Sequence, residues 1–363
     1  MSPRPLLFYV VVAFLGLMLA ACGGDKTDGP QRSPTGAGPP RSFAMGLSSL
    51  PAELTEESYS RAFELAASAG EVIMIQRTPP WEELIAGEVS AETARATQRE
   101  RQLAEEHGLD LFIAIDPTDV TGDRSELANL PAELRGAGFA DEQIRNAFIH
   151  YAKYVAENYH PRSLALGVEI NSYQHQHPED FEQFVTLYQQ AYDGVKELSP
   201  ETLVFPIFQL EELQGLLPID QPYPPQWYLI RRFEPRLDLL AVSSYPGLAF
   251  TAPEDVPDSY FAQLRSYTDR AIAIAGTGYA SGDDANEDQQ AAYLRRVLDE
   301  AQQLSMPLLV WLVGQDPSFT GDVPLGLLQH IGLLRQDGTE KPAWAVWAQA
   351  ARRPLAGAGA AEP

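Results

Sequence analysis

The chain has 363 residues, 45% apolar and 10% aromatic, with 50 acidic against 26 basic residues and a formal charge of −24. That composition excludes a disordered chain and is long enough for one large core. The charge excludes a polyanion such as DNA or RNA as a partner, because phosphate binding needs a basic face. A single cysteine excludes a disulfide framework and a cysteine-rich metal site.

Arg4 precedes nearly unbroken hydrocarbon from Leu6 to Leu19, which runs into Ala20-Ala21-Cys22-Gly23-Gly24. A short apolar run closing on small residues reads as a secretory leader rather than a spanning helix. The lone cysteine at that junction resembles the lipobox of bacterial lipoproteins. The resemblance implies that residues 1–21 are a signal peptide and that Cys22 carries the lipid. The protein is then held in the bacterial cell envelope, outside the cytoplasm. Residues 22–41, rich in Gly, Pro, Asp and Thr without an apolar period, read as a tether, and 353–363 as a disordered tail.

Between them, apolar runs recur at 43–46, 72–76, 111–115, 164–170, 203–208, 239–243, 271–275 and 307–312. Continuous rather than alternating apolar strands predict a parallel sheet covered on both faces. Helical spacing with capping signals predicts helices at 57–69, 91–107, 141–159, 180–198 and 286–304. Eight strands alternating with helices predict a single (β/α)8 barrel over 42–352. A doubly wound sheet is the rival, but Leu47-Ser48-Ser49-Leu50-Pro51 after the first strand lacks its glycine-rich phosphate loop.

Barrel sites lie at the C-terminal ends of strands. Those ends carry Arg77 and Trp81 (second strand), Asp116 (third), and Gly167-Val168-Glu169-Ile170-Asn171 with Tyr173, His175 and His177 (fourth). They also carry Ser243-Ser244-Tyr245-Pro246 (sixth), Ala275-Gly276-Thr277-Gly278-Tyr279 (seventh) and Trp311 and Asp316 (eighth). Such a ring of carboxylate, amide, hydroxyl and aromatic groups suits a sugar, with Trp81, Asp116, Asn171, Tyr173, Tyr279 and Trp311 as binding candidates. Glu169 at the end of a buried strand needs a partner, and an ion pair with Arg77 is the structural alternative to a working role. Trp311 as barrel filling and the two histidines as solvated loop residues are the plain alternatives there. No metal or other cofactor is implied.

The Gly167–Asn171 segment resembles the Gly-Asn-Glu segment of retaining (β/α)8 glycoside hydrolases, and is most similar to endo-β-1,4-galactanases, whose segment also continues Ile-Asn. Ser244-Tyr245-Pro246, Trp311 and the closing Gly338-Thr339-Glu340-Lys341-Pro342-Ala343-Trp344 match the same superfamily. The resemblance implies Glu169 as general acid/base, Tyr245 as support for the nucleophile and Trp311 as a sugar-subsite floor. Two positions depart from it. Val168 stands where the family has a sugar-binding Asn, and Gly276 stands where it has the nucleophilic Glu. Retaining hydrolysis needs two carboxyl groups about 5 Å apart. Three functions follow: a glycosidase using a displaced carboxylate (Asp283, Asp284, Glu287 or Asp316), a non-catalytic carbohydrate-binding lipoprotein, or an envelope scaffold. The expected partner is a polysaccharide or oligosaccharide, and the expected state a monomer.

Overall fold

A computed structural model describes residues 38–120, 123–217, 222–282, 286–319 and 328–356. The expected leader, Cys22, nearly all of the tether and Asp283 and Asp284 lie outside the described residues.

Nine parallel strand segments make one sheet: β1 (Ala44–Ser48), β2 (Val72–Arg77), β3 (Asp110–Ile115), β4 (Ser163–Leu166), β5 (Leu203–Phe205), β6 (Ile207–Gln209), β7 (Leu239–Ser244), β8 (Ala271–Thr277) and β9 (Leu308–Trp311). Their order is β5-β4-β3-β2-β1-β9-β8-β7-β6, so its two ends are consecutive in the chain. Pro206 separates them. Lacking an N–H, it interrupts the ladder; β5 pairs with β4 and β6 with β7, and this broken fifth strand closes the barrel. The (β/α)8 expectation holds, with nine segments in eight positions. Strand interiors are apolar throughout, and Ile113, Leu164, Val204, Leu240, Ile272 and Leu309 are wholly buried.

The helices form where caps and periodicity coincide. They are α1 (Glu56–Ser68), α2 (Trp81–Ala86), α3 (Ala91–His107), α4 (Glu142–Tyr159), α5 (Ile170–Gln176), α6 (Pro178–Leu198), α7 (Leu210–Leu213), α8 (Glu287–Gln303) and α9 (Pro342–Ala351). In α8 the Asn286 side chain accepts from Gln289 N, and Gln289 Oε1 in turn accepts from Asn286 N. Ala291, Leu294, Val297, Leu298 and Ala301 then turn one apolar stripe onto the barrel. An Asn286→Ala variant should lose about 1 kcal/mol in urea unfolding. Around β6–β8 the crossovers are short 3-10 turns (Trp227–Arg232, Pro246–Leu248, Pro253–Asp255, Ala262–Ser266) instead of full helices. Prolines 222, 224, 225, 246, 253 and 257 account for this.

One expected boundary moves. The run 164–170 is strand only to Leu166; Gly167 (φ +107°) turns the chain, and Ile170 already begins α5. At the N-terminal end of the barrel, Arg41 is buried, pairs with Glu71 and donates to Phe43 O at 2.5 Å. Its backbone also meets the chain's other end: Arg41 N donates to Pro354 O (2.9 Å) and Ala356 N to Arg41 O (2.8 Å).

Candidate functional site

The ends of β3 and β4 meet around one guanidinium. Arg124, 8% exposed, donates Nη1 to Asp116 Oδ1 and Oδ2 (2.9 and 3.0 Å), and to Thr118 Oγ1 (2.9 Å). Its Nε donates to Glu169 Oε2 at 2.8 Å. Ser243 Oγ, from the end of β7, donates to Glu169 Oε1 at 2.6 Å. Glu169 therefore has a cationic partner, and it is not Arg77, which instead pairs with Glu100 on α3. Burial raises the Asp116 pKa, and Arg124 opposes that rise. Burial works against the Arg124 charge too, but Asp116 and Glu169 outweigh it and hold the guanidinium protonated. Arg124 (φ +59°) and Glu169 (φ +49°) are both left-handed non-glycine residues. Strain of that kind persists only where surrounding contacts enforce it, and it gathers at functional sites.

Across the barrel, Ser243 stands in register with Gly276, and the pairing shifts between Val242 and Ser243, so that Ala275 is bulged out. Bulges of this kind re-aim side chains at barrel rims. A Cβ on Gly276 would stand 3.3 Å from Tyr245 Oη, 3.7 Å from Leu312 Cδ1 and 4.0 Å from Ser243 Cβ. Gly276 thus faces Tyr245 and the serine that binds Glu169. The Tyr245 pKa lies well above its ordinary value, through burial and then the Glu169 charge.

The end of β6 adds two carboxylates that the sequence reading passed over. Glu211 is fully buried and accepts from Gln209 Nε2 (2.6 Å), Ser244 Oγ (2.8 Å), Tyr245 N (2.8 Å) and the Tyr260 hydroxyl. It fixes the end of β7, and burial raises its pKa. Glu212 is only half-buried, and its Oε2 accepts from Ser172 Oγ at 2.6 Å. Burial first, then the Glu169 charge, push its pKa from 4.5 to about 7 against the pull of Ser172 and Arg124. Glu211 also adds slightly to the rise. The folded chain then binds this proton more tightly than the unfolded chain does. Stability should fall as pH rises from about 4.5 to about 7, by about 3 kcal/mol from this group. Urea unfolding across that range should show a slope that Glu212→Gln lacks.

The other expected residues divide. Tyr279 donates to Thr251 O (3.2 Å) and, with Leu248, Phe250, Thr251 and Ala280, lines a cavity of ≈ 390 Å³ beyond β7 and β8. Trp81 and Trp311 are wholly buried, their indole N–H groups donating to Ala128 O (2.9 Å) and Ile331 O (2.7 Å). Neither ring presents a face to the mouth. Asn171 is also wholly buried and bonds reciprocally with the Gln209 backbone, while Tyr173 donates to Asp180 Oδ2 at 2.7 Å. His175 and His177 belong to the end of α5 and its cap rather than a loop. Their rings lie 4.5 Å from Tyr223 and 4.9 Å from Tyr173. Two suggested replacement carboxylates are committed elsewhere: Glu287 to Arg335 (2.7 Å), and buried Asp316 to Lys341 (2.6 Å) and Gly332 N (2.8 Å).

No protein-family model and no curated protein matches the chain. Among solved structures it is similar to an exo-β-1,4-mannosidase from Opitutaceae bacterium strain TAV5 (TM-score 0.67, 16% identity, 85% of this chain and 59% of that one). It is likewise similar to a GH5_18 protein from Streptomyces cattleya in complex with GlcNAc (0.67, 18%, 86% and 80%). A family 39 glycoside hydrolase from the gut symbiont Bacteroides cellulosilyticus WH2 is a third (0.57, 18%, 86% and 64%). The chain spans less than two thirds of the mannosidase and the family 39 chain. In fold, the chain is a (β/α)8 barrel of the kind found in glycoside hydrolases of families 5 and 39.

Proposed function

We propose that this protein is an envelope lipoprotein, lipidated at Cys22, that binds polysaccharide at the barrel mouth and acts on it through Glu169. The observation that carries this is the placing of Glu169. It is the strand-end carboxylate held at once by Arg124 and by Ser243, with Gly276 and Tyr245 beyond that serine. The glycoside-hydrolase fold and the β4 segment support the same reading. On it, Tyr279 and the cavity beside it receive part of the sugar chain, and Asn171 and Tyr173 hold the frame. The ordinary double displacement through an enzyme carboxylate at the end of β8 is barred at Gly276.

The test uses the full chain purified in detergent. Calorimetry with β-1,4-galactan and β-1,4-mannan oligosaccharides should show binding to one of them. Galactan is the choice of the galactanase-like segment, and mannan the choice of the mannosidase neighbour. Dinitrophenyl β-glycosides of the same sugars with added azide should yield a glycosyl azide, the small anion entering beside Gly276. Absence of binding and of azide product with every sugar would overturn the reading and leave an envelope scaffold.

A further inference from the structure

Resting on that reading, we infer that Glu212 is the second working carboxylate of this site: it donates a proton to the leaving oxygen while Glu169 acts as the base. The position is unexpected, one barrel strand from Glu169 and on the side of it that leads through β7 to β8.

Exposure and saturation select it. Of the mouth carboxylates Asp116, Glu169, Glu211, Glu212 and Asp316, three are buried (3%, 0% and 6% exposed for Asp116, Glu211 and Asp316) and held by several donors. Only Glu169 and Glu212 keep partial exposure. Both oxygens of Glu169 already accept, from Arg124 and Ser243, which suits a base. Glu212 accepts at Oε2 alone, so among the described residues Oε1 has no hydrogen-bond partner and is open to carry a proton toward a ligand.

Both carboxylates are tied to the start of α5. Ser172, which holds Glu212, lies one turn from Glu169 and donates its N–H to Glu169 O at 2.9 Å. Asn171, between them, clamps α5 to the end of β6 by two bonds to Gln209 (3.0 and 2.8 Å), so the two carboxylates flank one pinned seam. Asn171 is a positioning residue in this scheme. The raised Glu212 pKa supports the division of roles, since it keeps a share of that carboxyl protonated near neutrality.

The step balances without any other group. The Glu212 proton moves to the glycosidic oxygen as its bond to the anomeric carbon breaks. A water oxygen bonds to that carbon, and Glu169 takes the water's proton. One displacement of this kind inverts the anomeric centre.

The experiment compares full-length wild type with Glu212→Gln on β-1,4-linked galacto- and mannotriose and on the matching dinitrophenyl glycosides. Hydrolysis of the trioses should fall roughly 10²- to 10⁴-fold in the variant. The dinitrophenyl substrates, whose leaving group needs no proton, should lose less than about tenfold. Proton NMR of the first product should show inverted configuration. Calorimetric binding of the triose, kept in Glu212→Gln, reports that the variant is folded. Retained configuration, or equal loss on both substrate types, would overturn the role of Glu212. Binding by wild type without turnover would overturn it too, while leaving the carbohydrate reading intact; neither binding nor turnover removes that reading itself.

Discussion

A Gly276→Glu variant should hydrolyse dinitrophenyl β-glycosides with retained configuration and roughly 10³-fold faster than the wild-type chain. Gly276 has no left-handed φ, so an L side chain meets no backbone obstacle there. The new Cβ would stand 3.3 Å from Tyr245 Oη and 4.0 Å from Ser243 Cβ. The tyrosine must give by a few tenths of an ångström, and its hydroxyl then lies within reach of the added carboxylate. Across Ser243, Glu169 faces the same space. With a nucleophile on the β8 side, the single displacement gives way to two steps and a covalent glycosyl-enzyme. Mass spectrometry after a 2-fluoroglycoside should find one sugar added to the variant and none to wild type. A folded variant that binds sugar but traps nothing would show that Gly276 does not face the anomeric carbon.

Removing the guanidinium should have the largest effect on stability. Arg124→Met leaves Asp116 and Glu169 facing each other without a counter-charge, one wholly and one largely buried. Breaking a buried pair by deleting one partner costs about 3–5 kcal/mol. Urea unfolding at pH 7 should show a loss of that size, and adding Asp116→Asn should recover part of it, because one of the stranded charges is then gone. A loss below about 1 kcal/mol would mean that the carboxylates are solvated well enough to stand alone, and that Arg124 does not organise the mouth.

Much of the barrel was legible in the sequence because parallel strands buried on both faces must be apolar at successive positions. Runs such as 111–115 and 271–275 leave little choice. Helix ends were legible where a side chain caps them, as at Asn286 and Asp141. The end of β4 was not. Hydrophobicity continues through Val168 and Ile170, yet Gly167 and Glu169 adopt left-handed backbone and turn the chain; sequence hydrophobicity does not register a φ angle. The site was legible only in part. Glu169, Tyr245 and Gly276, which the motifs single out, all lie around Ser243. Trp81 and Trp311 carry the residue type of a sugar platform but the environment of a core, and residue type alone does not tell those apart. Arg124 sits in an irregular loop with no periodic signal. Glu211 and Glu212 had a signal: the rule that points to strand ends also covers Gln209-Leu210-Glu211-Glu212, at the end of the one strand that Pro206 breaks.

The junction of Arg41 with Pro354 and Ala356 fixes an orientation as well as an edge. Both ends of the folded barrel leave from the side where strands begin, with Arg41 held there by Glu71 and by the backbone of the closing segment. Glu169, Glu212 and Gly276 lie at the opposite pole, where strands finish. The lipid anchor proposed above would therefore join the barrel at its base, at the pole opposite its opening.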